Sequence, residues 1–388
     1  MNSLRGVLIL IAAISAVVAF VASLSAAPLI SVAAFIALAV AGYCGFSLRG
    51  VASASPSVAR SPSLWQDRTI VILMLLFGTF FGSYALLLLL GQLASADNVK
   101  PGFGFYSLVV SIWALGWLLV EWLADIDTRR VLVRRALGIV IPVLFGAGLL
   151  LLWEVFTRAL EVPQVLLPAP SVIAERFGSS LSILWADFKQ TFLKAVLIGY
   201  AIGCISGFLT AILIDRSPFL QRGLLPIGNL VSALPIVGIA PIMVMWFGFD
   251  WPSKAAVVVV MTFFPMLVNT ISGLAASDHM QLDLMKTYAA NYWQNLFKLR
   301  LPQASPFIFN ALKINSTLAL IGAIVAEFFG TPIVGMGFRI STEVGRMNVD
   351  MVWAEIAVAA VAGSCFYGLV ALIERMVTFW HPSVRAGR

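Results

Sequence analysis

The sequence predicts an all-α polytopic membrane protein, a six-span core preceded by four extra transmembrane helices. Three observations predict it. Of 388 residues, 61% are hydrophobic and 11% charged, whereas a water-soluble domain carries roughly 45–50% apolar and 25% charged residues. The main solvent of this chain is therefore lipid. Ten apolar runs reach the about 20 residues that a helix needs to cross the hydrocarbon core: 7–25, 27–47, 69–92, 104–124, 136–155, 190–214, 223–248, 253–274, 305–328 and 351–376. With the N-terminus in the cytoplasm, sixteen Lys and Arg fall in inside segments and seven in outside ones, the bias of cytoplasmic loops. Both termini are then cytoplasmic.

Composition also excludes other classes. The net charge of +7 is nowhere concentrated among aromatic residues, so a nucleic-acid partner is not expected. Cys44, Cys204 and Cys365 are far apart, each inside an apolar stretch, and an odd number offers no disulfide framework. With His279 and His381 the only histidines, no metal site is expected. There is no Gly-rich phosphate loop ending in Lys-Ser/Thr and no His-Glu-x-x-His or nucleophile–base pair. The chain is read as neither an enzyme nor an ATP binder. The alternative from another transport class is a secondary transporter, which would show buried charged pairs or inverted repeats with matched broken helices. One broken span and no repeat are seen.

In chain order, residues 1–26 have the Arg5, apolar stretch and small Ser23, Ser25 and Ala26 of a signal peptide. The second span immediately behind favours a retained hairpin. The first four spans are nearly uncharged, with Glu121 at the end of one, which argues against an ion pathway. Packing, assembly and contact with another subunit stay open as their role. Residues 48–68 read as a polar linker and 125–135 as a basic cytoplasmic loop, which divides the chain into an extension, 1–135, and a core, 136–388. Outside, Ser171 is a plausible N-cap. Val172, Ile173, Phe177, Leu181 and Leu184 follow at helical spacing, predicting an amphipathic helix along the outer surface.

The stretch Asp283 to Pro302 is too polar to cross the membrane and too apolar for a simple loop. Tyr288, Tyr292, Leu296 and Leu299 fall on one helical stripe, flanked by Trp293 and Phe297. Pro302 is expected to break the helix before the next span. Such a face needs a partner, and the physics alone leaves two readings, a lipid-surface anchor or a helix-in-groove protein contact.

This stretch resembles the coupling motif of permeases from bacterial ATP-binding-cassette (ABC) importers: Glu-Ala-Ala, three residues, Gly, nine residues, a hydrophobic residue, any residue, Leu-Pro. Counting back from Leu301-Pro302, Asp283 takes the acidic position, Ala289 the glycine and Leu299 the hydrophobic place. Trp293-Gln294 stands where the nitrate/sulfonate/taurine branch has Trp-Gln. The departures are Asp for Glu, Leu284-Met285 for Ala-Ala, and Ala for Gly. Other matches follow in order: Pro168–Ser171, Ser232–Pro235, Trp246–Gly248, Ser253-Lys254, Phe263–Pro265, Asn269-Thr270, Ala326–Gly330 and Gly335–Phe338. Within the branch the pattern is most similar to riboflavin and thiamine-pyrimidine precursor permeases.

The resemblance implies a permease subunit of the bacterial inner membrane. Its implied partners are a second permease copy, a cytoplasmic ABC ATPase dimer that brings ATP and Mg, and a periplasmic or lipid-anchored substrate-binding protein. The ATPase would dock on Asp283, Tyr288, Ala289, Tyr292, Trp293, Phe297, Leu301 and Pro302. For the solute pathway, polar residues within spans are the candidates: Ser316, Thr317 and Glu327, with Lys313 about 21 Å from Glu327 along the helix. The competing reading has Lys313 snorkelling, Ser316 and Thr317 bonding their own helix and Glu327 capping a neighbour. Asn229, Ser232 and Pro235 stand at the broken span, which is equally read as a packing kink. Gly335–Phe338 is read as a gate, a docking surface or a tight turn. Asp250, Lys254, Arg339 and Arg346 are outside charges with two readings, contacts for the binding protein or solvated loop residues.

Overall fold

Every long apolar run in the described part of the chain is a helix, as the absence of water from the bilayer core requires. The computed structural model describes residues 2–23, 34–41, 62–95, 101–126, 130–217, 219–220, 223, 235–330 and 333–380. Among the described residues, seven helices are long and apolar enough to cross a membrane: Ile70–Gln92, Phe103–Ala124, Val131–Ala159, Leu181–Arg216, Trp251–Ala275, Tyr292–Glu327 and Val349–Val377. Shorter apolar helices cover Arg5–Ala19 and Ile236–Phe247. The expected span at 27–47 is described only over 34–41, which is helical, and that at 223–248 chiefly from Pro235 onward.

The chain forms two compact units, Met1–Ser171 and Val172–Arg388. In the first, α1 (Asn2–Ser23), α2 (Pro62–Ser95), α3 (Phe103–Ala124) and α4 (Val131–Ala159) pack together. Ala12, Ala16 and Ala19 are fully buried. These small side chains bring α1 close enough to α3 for the Ser15 and Ser111 hydroxyls to meet at 2.8 Å, the packing mode of helices in lipid. At one end Arg5 is buried against Trp122 and pairs with Glu121 and Asp125.

In the second unit, α5 (Pro170–Ser179) and α6 (Leu181–Phe188) precede a π-helical stretch, Lys189–Val196, and α7 (Leu197–Arg216). Then come α8 (Ile236–Phe247), α9 (Trp251–Ala275), α10 (His279–Thr287), α11 (Tyr292–Asn295), a π turn at Leu296–Arg300, α12 (Leu301–Glu327), α13 (Met336–Gly345) and α14 (Val349–Val377). Gly199, Gly203 and Gly207 repeat every fourth residue along α7. A Cβ at each would sit 2.5–2.9 Å from a backbone oxygen of α9, so α7 and α9 touch backbone to backbone. The buried Asn315 of α12 joins this contact by donating to the Thr262 carbonyl at 2.7 Å.

Three expectations are corrected here. The outer amphipathic helix ends at Ser179, and Leu181 and Leu184 begin the spanning helix Leu181–Arg216 instead. Ser171 is not its cap. Ser171 lies inside α5, where its amide and hydroxyl both donate to the Glu154 carboxylate, at 2.9 and 2.6 Å. Pro302 breaks nothing. It is the second residue of α12, immediately behind a π turn. The preceding π turn, in which the Leu301 amide bonds Leu296, carries α11 into α12 as one 36-residue helix.

Candidate functional site

The segment with the motif-like spacing forms two helices rather than one. Asp278 caps α10 by accepting from the Met280 amide at 3.2 Å. The helix ends in a Schellman turn: the Ala290 amide bonds the Met285 carbonyl at 3.0 Å and the Ala289 amide bonds that of Lys286 at 2.9 Å. Ala289 pays for this geometry with φ of +53°, the left-handed conformation that favours glycine. Asn291 then restarts the chain with a capping box, its side chain accepting from the Gln294 amide at 2.8 Å while Gln294 accepts from the Asn291 amide at 3.0 Å.

The predicted single stripe is therefore split. Tyr288 closes the first helix, and Tyr292, Leu296 and Leu299 belong to the second. Leu296 is fully buried among Leu274, Ala304 and Ile308. Two shorter stripes remain outside: Met280, Leu284 and Tyr288, exposed by 78, 56 and 77%, and Trp293 with Phe297, exposed by 48 and 61%. The last two rings stack at 6.0 Å. Lys286, 2.9 Å from Asp283, holds that exposed carboxyl below its usual range. An exposed apolar patch of this kind marks an interaction surface.

Residues that the sequence reading passed over anchor this surface. Arg300 binds Asp215, at the end of α7, through two nitrogens at 2.7 Å each. Its Nε donates to the Leu274 carbonyl at 3.1 Å, and the Tyr292 hydroxyl donates to Asp215 at 3.0 Å. Arg216 lies over the Tyr292 and Trp293 rings at 5.8 and 5.9 Å. The only sequence signal was an acid beside an arginine at the end of an apolar run; its partner stands 85 residues away.

The pathway candidates separate. Ser316 is buried and donates to the Lys313 carbonyl at 2.7 Å. Thr317 is exposed and donates to that of Ile314 at 2.8 Å. Lys313 does not snorkel; it pairs with Glu374 at 2.7 Å. Asn229 and Ser232 lie outside the described residues. Pro235 precedes the first turn of α8.

Glu327 caps a neighbour. The start of α13 presents three amides to three buried side chains: Gly335 to Asp187 at 2.6 Å, Met336 to Thr191 at 2.8 Å and Gly337 to Glu327 at 2.7 Å. The Thr191 hydroxyl donates to Glu327 at 2.7 Å, and Arg339 pairs with Asp187 at 2.9 Å. A Cβ on Gly337 would meet the Ile324 carbonyl oxygen at 2.1 Å. Gly335–Phe338 is thus the capped start of a helix, and Arg339 is half of an ion pair rather than a solvated charge. Nor is Lys254 solvated: it is 1% exposed and donates to the Phe249 carbonyl at 2.6 Å. Asp250 caps α9, and Arg346 pairs with Glu343 at 3.3 Å.

Comparison with known proteins agrees with this architecture. Residues 199–379 match the family described as binding-protein-dependent transport system inner membrane component. A probable ABC transporter permease protein of Haemophilus influenzae is 30% identical over 226 residues, 58% of this chain and 91% of that protein. The riboflavin transport system permease protein of Chloroflexus aurantiacus is 29% identical over 250 residues, 64% and 91% of the two chains. The formylaminopyrimidine transport permease protein of Halalkalibacterium halodurans is 29% identical over 249 residues, 64% and 98%. This multi-pass membrane chain therefore belongs to the ABC transporter permeases, in the nitrate/sulfonate/taurine branch.

Proposed function

We propose that this chain is the membrane-spanning permease of an ATP-driven importer, and that a cytoplasmic ABC ATPase docks on the face formed by Met280, Leu284, Tyr288, Trp293 and Phe297. One observation carries the reading. Ala289 adopts the left-handed turn at the position where the resembled coupling motif has glycine. The turn presents both apolar stripes outward, and it persists although the residue is not glycine.

ATP and Mg belong to the partner. Movement of the ATPase enters the membrane along Tyr292–Glu327, a helix that is continuous from the docking face to the buried Glu327. The Asp215–Arg300–Tyr292 cluster carries the same displacement to the ends of α7 and α9. This is a rigid-body switch through a packed interface, with no hinge at Pro302. Two copies enclose the pathway, so the exposed Thr317 is a better lining candidate than the buried Ser316. In this arrangement residues 136–388 form the six-span core in the bacterial inner membrane, preceded by the extension 1–135, with both termini cytoplasmic. An external binding protein delivers the solute. The names of the relatives point to a small organic compound, a vitamin or pyrimidine precursor or a sulfonate.

The test is co-purification of the ATPase with Trp293→Ala/Phe297→Ala. The variant is expected to insert into the membrane normally and to lose the ATPase. Retention of the ATPase would overturn the docking face, and solute uptake that persists without any ATPase would overturn the ATP-driven reading.

A further inference from the structure

The first unit contains a cavity that the proposed transport role does not use. It lies between α2, α3 and α4 and has a volume of about 620 Å³, within the ~300–1,000 Å³ range of small-ligand sites. Phe80, Ile112, Trp113, Trp117, Phe145 and Leu152 form much of its wall, and no charged side chain lines it. Of its hydroxyls, that of Thr79 is spent on the Leu75 and Leu76 carbonyls at 2.7 and 3.1 Å. A polar ligand finds little to bind here, whereas an alkyl chain finds a wall of matching chemistry. Phe80, Trp117 and Phe145 are exposed by 77, 47 and 50% at its rim. All three stand within helices long enough to span the bilayer, so the cavity opens sideways into hydrocarbon.

Charge at one end of the same helices selects the kind of lipid. Arg134 and Arg135, in the first turns of α4, are exposed and pair with no acidic side chain among the described residues. Glu121 and Asp125, at the adjoining end of α3, are occupied by Arg5. At 100° per residue, Arg134 shares a face of α4, within about 40°, with the cavity-lining Phe145, Gly148 and Leu152. The rise from Arg134 to Phe145 is about 16 Å, a span that a glycerol backbone and the upper part of an acyl chain cover.

We propose that this unit binds an anionic phospholipid, with an acyl chain in the cavity between α2, α3 and α4 and the phosphate on Arg134 and Arg135. The site shares no residue with the proposed ATPase face, and its failure would leave that reading untouched. Both parts of the ligand are held by residues of the first unit, Met1–Ser171.

The full-length chain in phosphatidylcholine nanodiscs tests this. Phosphatidylglycerol or phosphatidylcholine carrying brominated acyl chains is added at equal mole fraction, and quenching of the Trp113 and Trp117 fluorescence is isolated by difference from Trp113→Phe/Trp117→Phe. Brominated phosphatidylglycerol is expected to quench at a lower mole fraction, by about fivefold per arginine, and Arg134→Gln/Arg135→Gln to abolish that preference. Gly116→Leu, where a Cβ meets nothing nearer than the Thr79 methyl at 4.0 Å, should fill the cavity and lower quenching by both lipids to what reaches the rim-exposed Trp117. Equal quenching by the two lipids in the unaltered protein, or a preference that survives loss of both arginines, would overturn the proposal. So would the absence of quenching by either lipid, as when a segment of this chain fills the cavity. The arginine variant changes only exposed side chains, so the outcome does not depend on whether Gly116→Leu folds.

Discussion

Arg300 and Asp215 meet through two hydrogen bonds of 2.7 Å, although 85 residues separate them in sequence. The pair ties the lower part of the helix Tyr292–Glu327 to the end of α7, and both side chains are largely removed from solvent. A planar guanidinium matches a carboxylate in this two-pronged way, and lysine cannot reproduce it.

Asp215→Ala is therefore expected to lower stability by up to about 3 kcal/mol, because the Arg300 charge is left without its partner in a partly dry site. Thermal unfolding of the solubilised protein measures this. Arg300→Lys should recover only part of the loss from Arg300→Ala, since one prong of the pair is missing.

Ala289 stands at φ +53°, a conformation that costs an L-residue about 1–2 kcal/mol. Ala289→Gly is expected to raise stability by up to about 1 kcal/mol, the relief being offset in part by the greater freedom of glycine in the unfolded chain. Ala289→Val should destabilise, because a β-branched side chain tolerates this region least. Melting temperatures of the two variants, moving in opposite directions, check the prediction.

Gly337 has no room for a side chain: its Cβ would stand 2.1 Å from a backbone oxygen. Gly337→Ala must displace α13 from α12 and pull the Gly337 amide from Glu327. We expect a loss of about 2–4 kcal/mol, in the range of overpacking plus a broken buried hydrogen bond. Limited proteolysis should cut within 333–345 in the variant before the unaltered protein. Unchanged cleavage would mean that the three-amide clamp does not hold α13.

Much of this protein was legible in its sequence. Lipid leaves the backbone no choice but to bond within each segment, so an apolar run of sufficient length is a helix whatever surrounds it. Runs such as 69–92, 104–124 and 351–376 appear as spanning helices for that reason. The spacing from Asp283 to Leu301-Pro302 likewise identified the segment that carries the exposed apolar face. Only the tertiary structure decided how that segment bends, what anchors it and which charges are buried. Ala289 in a turn that favours glycine and Pro302 inside a continuous helix both run against local preference. The capping box at Asn291, the π turn and the packing of Leu296 outweigh that preference. The bond from Asp215 to Arg300 and the grip of Asp187 and Thr191 on the start of α13 join residues distant in sequence. A one-dimensional pattern records a charge and its neighbours along the chain. Whether that charge meets water, lipid or an opposite charge depends on which helices pack together, and that is a property of the folded chain.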